Sequence, residues 1–224
     1  MPIVISLVAL FVVFIIWRVW ASGVTAKRAE FIRSYSLPAG LYDKLRKKHP
    51  QLALKDCQLV GQALRQFFLA HLKSGRQFVA MPSQGADDLW HEFILYTRNY
   101  DVFCQQAFGR FLHHTPAVVL SDDQQDNTGL RRIWHYACRE ENIDPKKPTR
   151  LPLLFAIDKK LGIAGGFVYA PDCKALQGQT SDGGAVHCGA DLGGSGDGGG
   201  DGGSDSSSDS DGSGCGGGGC GGGD

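Results

Sequence analysis

The chain has 224 residues, 42% hydrophobic and 21% charged, with 23 Lys and Arg against 23 Asp and Glu. These fractions sit near globular averages and exclude a wholly disordered chain, while the length excludes a large multi-domain enzyme. The zero net charge conceals an asymmetry: every Lys and Arg lies at or before Lys174, and the C-terminal remainder carries eight Asp with no Lys or Arg.

Ile3 to Trp17 is an unbroken apolar run, which Val19, Trp20 and Ala21 extend beyond Arg18. As a helix, residues 3–21 would rise about 28 Å at 1.5 Å per residue, close to the hydrocarbon thickness of a bilayer. Arg18 can snorkel to the interface, where Trp17 and Trp20 would also anchor. A cleaved signal peptide is the rival reading. It needs a positive leader before the apolar run and a small-residue cleavage site; no basic residue precedes Ile3, and Val24-Thr25-Ala26 is a weak candidate. A retained single-pass anchor over residues 1–25 is therefore expected, in contact with membrane lipid through residues 3–21. Arg18, Lys27, Arg28 and Arg33 all lie on its C-terminal side. Positive flanks stay cytoplasmic, so the N-terminus should face out and the body in.

Residues 26–175 are expected to form a small helical domain. Ala26–Tyr35 continues the anchor as a stalk, broken by Ser36-Leu37-Pro38. Leu41–Lys48 is a short helix before Pro50; its basic run, Lys44 to Lys48, either touches anionic headgroups or forms a solvated face. Asp56–Leu72 has helical apolar spacing, with Gly75 as its stop. Ser83 has the position of an N-cap for the helix carrying Leu89, Trp90, Phe93 and Ile94, with Asp87 and Asp88 in its first turns. Asn99 restarts a helix that ends near Gly109, and Leu130–Arg139 and Leu153–Leu161 supply two more. The apolar stretch 151–170 contains Asp158-Lys159-Lys160 and is not expected to span a membrane. With no strand alternation and no internal repeat, the fold class is all-α.

Cys57, Cys104, Cys138 and Cys173 are scattered through the body, and Cys188, Cys215 and Cys220 lie beyond it. Their odd number and wide spacing point to free thiols in a reducing compartment rather than a disulfide framework. The densest chemistry-bearing stretch is 87–116. Asp87 and His91 are four apart and share a helix face. If the next helix folds back, Cys104 and His113 or His114 complete a set of types that zinc accepts. Asp87, His91, Cys104 and His113 are thus the candidate metal ligands. The competing reading has His91 at a helix interface, hydrogen-bonded to Asp87. The spacing matches no recognised metal signature: His91-Glu92 lacks the second histidine of HExxH, and position 95 is leucine. There is no Walker A loop, no nucleophile elbow and no dinucleotide fingerprint, so no catalytic or cofactor-binding residue is assigned.

The run Asp88-Leu89-Trp90-His91, followed by Ile94-Leu95, Tyr100, Cys104, Phe108-Gly109-Arg110, Leu112-His113-His114 and Pro116, resembles the glycine-rich domain-containing protein family. The likeness covers about 30 residues and implies a helical domain; it carries no activity with it.

Residues 176–224 hold 21 of the 31 glycines. Gly, Ser and Asp cannot bury enough surface to offset ordering entropy, so a flexible, acidic, disordered tail is expected. His187-Cys188 and the Cys215/Cys220 pair put soft ligands on it, for weak metal capture or thiol pairing. Together these features predict a single-pass membrane protein presenting a helical interaction or scaffold domain to the cytoplasm, with a protein partner and no nucleic acid. The alternative is a zinc-type metal-binding enzyme or sensor.

Overall fold

The computed structural model describes residues 2–114, 127–171 and 186–193. Among them lie eight helices and two short strands. Pro116, Cys173 and the Cys215/Cys220 pair fall outside the described residues.

Helix α1 (Pro2–Ser34) runs uninterrupted for 33 residues. Its segment from Ile3 is long and apolar enough to cross a membrane. Large side chains from Ile3 to Trp20 are exposed, whereas Ala29 and Ile32 are buried against the body. Where the apolar run gives way, Ser22 and Thr25 donate back to the helix's own carbonyls at Val19 and Ala21. Both hydroxyls are thus satisfied within the helix itself.

Helices α2 (Leu41–Lys48) and α3 (Leu54–Lys73) come next. Most of α3 is buried, and α1, α2, α4 (Gln84–Leu95), α6 (Asn127–Glu140) and α7 (Leu153–Leu161) all pack on it. Its apolar side chains recur around the whole circumference, which suits a central helix. Gly61 lets α2 approach, since a Cβ there would meet the Tyr42 hydroxyl at 2.6 Å. Helix α5 (Thr97–Phe108) folds back beside α4 and ends at Gly109, whose φ of 73° is the left-handed cap that glycine adopts at no steric cost. An aromatic seam joins three helices and the residue after α1: Tyr35, Phe68 of α3, Trp90 and Phe93 of α4, and Phe103 of α5. The Phe68–Phe103 and Tyr35–Phe103 centroids are 4.9 and 4.8 Å apart.

Three carboxylates tie the helices together. Asp158 on α7 accepts from Ser83 Oγ at 2.7 Å, the amides of Gln84 at 2.7 Å and Gly85 at 3.1 Å, and Phe167 N at 3.0 Å. Ser83 also caps α4 as its position predicts, accepting from Ala86 N. Glu141 and Gln66 take the first two amides of α7, Leu153 N and Leu154 N. Glu140 binds Arg33 of α1 and Lys73 of α3.

Three features depart from the sequence-based expectation. Val168–Ala170 (β1) and Val186–Cys188 (β2) form a parallel two-stranded sheet, so the all-α class holds for the helical body but not for this pair. Three-residue strands are too short to show alternation. Residues 186–193, expected to belong to the disordered tail, form β2 and the short helix α8 (Gly189–Gly193). Gly189 is what permits this: its bare Cα lies on the Trp134 ring, where a Cβ would clash. Leu192 supplies the apolar contact. Finally, Cys57, Cys104 and Cys138 are buried free thiols, but Cys188 is disulfide-bonded.

Candidate functional site

Helix α4 begins at the Ser83 cap and places Asp87 and His91 one turn apart on one face. Residues 111–114 then lead from the end of α5 back to α4 as a strap. Trp90 Nε1 donates to the Tyr100 hydroxyl at 3.1 Å, and that hydroxyl donates to the carbonyl of Leu112 at 2.5 Å. Phe111 packs edge-on against Tyr100, with centroids 5.2 Å apart. The pinned strap brings the His114 ring to 4.5 Å from Trp90 and 4.1 Å from His91.

Asp87, His91 and His114 thus converge. His114 Nε2 is 2.8 Å from Asp87 Oδ1, and His91 Nδ1 is 3.4 Å from Asp87 Oδ2. One ligand atom from each residue lies within 4.8 Å of the other two. The side chains of Asp87 and His114 are 15% and 11% exposed, whereas that of His91 is 50% exposed, so the group opens to solvent on one side.

Cys104 and His113 stand apart from this group. Cys104 is fully buried. Burial pushes its thiol up, against the opposing pull of the Leu112 backbone and the Tyr100 hydroxyl. Cys104 is not among the residues whose ligand atoms converge with those of Asp87 and His91. His113 is exposed and packs on Phe111 at 4.9 Å. Of the two adjacent histidines it is His114 that reaches Asp87.

Asp88, adjacent in sequence, does something different. It points into the body and binds Lys48 at 2.5 Å, His49 Nε2 at 2.7 Å and Gln84 Nε2 at 2.8 Å. Burial would raise its pKa, but those three hydrogen bonds prevail and hold the carboxyl below its ordinary range. This network locks α2 to α4. His49 was not singled out by sequence reasoning, and no spacing signal links it to a residue 39 positions away. Close by, Phe67, His71, Phe78, Val79, Met81, Trp90, Leu112 and His113 line a cavity of about 40 Å³, room for no more than a very small molecule.

A family model described as UCP032817-like matches residues 27–192. No curated protein and no solved structure matches the chain. The matched segment begins on the stalk half of α1 and ends in α8, so it includes the strand pair and runs past residue 175.

Proposed function

The chain belongs to the UCP032817-like family, and from that premise we propose that it is a single-pass membrane protein whose helical body is held at the cytoplasmic face as an interaction domain. One observation carries this reading. Within one uninterrupted helix, side chains from Ile3 to Trp20 have no protein to cover them, and from Ala29 onward the same helix is part of the core. Packing removes the freedom of a flexible tether, so the body is fixed to the span. The basic flank of Arg18, Lys27, Arg28 and Arg33 supports the N-out, body-in orientation.

The interaction role is supported by the α4–α5 hairpin, where Leu95 is 69% and Val102 48% exposed. A protein partner docking on the hairpin would bury both side chains. The likeness of residues 88–116 to glycine-rich domain-containing proteins agrees with a helical module and adds no activity. The test is a photo-crosslinking amino acid placed at Leu95 or Val102 of the membrane-bound chain. A discrete adduct from both positions, absent when the label sits at exposed Glu30 of α1, supports the reading. No adduct from either position contradicts it.

A further inference from the structure

We propose that Asp87, His91 and His114 bind one zinc-class divalent ion, with solvent completing the coordination on the open side of His91. The donors come from two segments far apart in sequence, α4 and the strap, and the fold holds the strap in place through the Trp90–Tyr100–Leu112 hydrogen bonds. Zinc accepts imidazole nitrogen and carboxylate oxygen, and sites with three protein ligands keep one position for water.

The His91–Asp87 distance suits coordination better than a hydrogen bond. His91 Nδ1 lies 3.4 Å from Asp87 Oδ2, beyond the 2.7–3.2 Å or so of a good hydrogen bond. It matches the separation of about 3.4 Å between neighbouring ligands when four bonds of about 2.0–2.1 Å surround a tetrahedral ion. The His114–Asp87 contact, at 2.8 Å to the other carboxylate oxygen, is a hydrogen bond that metal binding would replace. The two rings also lie 4.1 Å apart. A cation bound between them would use one ring-nitrogen lone pair from each. The supporting contacts are those expected around a ligand: the Trp90 ring fixes His114 at 4.5 Å, and Ser83 and Asp158 anchor the start of the helix bearing Asp87 and His91.

The test uses the full-length chain in mild detergent, stripped with a chelator and titrated with Zn²⁺, with Co²⁺ as the spectroscopic probe. The expected result is one equivalent per chain and a cobalt spectrum without a thiolate charge-transfer band. His91→Ala should weaken Zn²⁺ binding by more than the roughly 10–100-fold that losing a supporting contact costs. His113→Ala should bind as the wild type does. His91 is half-exposed, so its removal leaves the fold intact, and unchanged circular dichroism verifies this. Should Asp87→Asn or His114→Ala fail to fold, the His91 and His113 variants still decide. The proposal is overturned if the wild type takes up no stoichiometric Zn²⁺, if His91→Ala binds as tightly as the wild type, or if His113→Ala weakens binding as much as His91→Ala.

Discussion

Asp158 accepts four hydrogen bonds and joins α7, the N-terminus of α4 and the chain leading into β1. Replacing it with alanine leaves the Ser83 hydroxyl and the three amides without their acceptor, two of these contacts buried and two partly buried. The expected loss is about 3–5 kcal/mol, read from urea denaturation of the detergent-solubilised chain. Asp158→Asn keeps the shape and should cost less, about 1–3 kcal/mol. His71 gives a pH-dependent counterpart. Burial lowers its pKa to about 4, with Arg110 and Arg76 adding to the shift and the Gln77 carbonyl opposing it. The unfolded imidazole takes its proton near pH 6.5 or so. Between those values the unfolded state binds more protons, so His71's contribution is complete above about pH 6.5 and falls as the pH drops towards 4. By then about 3 kcal/mol is lost. Comparing wild type with His71→Gln at pH 7 and pH 4.5 isolates it: the variant should lose less stability between the two. A wild type and variant that fall in parallel would refute this assignment. Neither residue announced its role in the sequence. Asp158 reads locally as one charge in an Asp-Lys-Lys run, and the donors it serves on α4 lie about 75 positions away.

At the scale of elements, helix positions were legible because apolar residues recurring at helical spacing must share one buried face. Ser83 and Gly109 marked boundaries for equally local reasons, a hydroxyl that caps and a glycine that turns left-handed. The strap of residues 111–114 was not legible in this way. Its course depends on Tyr100 reaching the Leu112 carbonyl and on Trp90 reaching Tyr100, which together bring His114 to Asp87. The pair Asp87 and His91 could be read from four-residue spacing, but the third member required that strap. Tyr100→Phe tests the arrangement. It should cost about 1–2 kcal/mol of stability through the lost hydrogen bonds. It should also weaken Zn²⁺ binding by about 10–100-fold, since the strap no longer fixes His114. Unchanged Zn²⁺ affinity in a folded Tyr100→Phe chain would show that His114 is placed by other contacts.

At the scale of the molecule, the sequence divides by composition. The apolar leader, the mixed body and the Gly/Asp/Ser-rich end could each be recognised without structure, because composition sets what can be buried. The boundary after the body could not, since Gly189 and Leu192 dock through a single close approach to Trp134 and a single apolar contact. The C-terminal part of α1 joins its apolar run to the body through Ala29, Ile32 and the Arg33–Glu140 ion pair. Charge reversal at Glu140 sets it against both Arg33 and Lys73. Glu140→Lys should therefore destabilise the body by more than a surface pair's usual 0.2–1 kcal/mol or so, seen as a lower melting temperature, while leaving the chain in the membrane fraction. Orientation is decided by protease treatment of sealed membrane vesicles of known sidedness carrying the full chain. If α1 spans with its basic flank inside, the 27–192 body is digested in vesicles that expose the cytoplasmic face and protected in those of opposite sidedness. Digestion of the body from the outer face, or its release as a soluble fragment lacking the apolar leader, would contradict a membrane-held cytoplasmic domain.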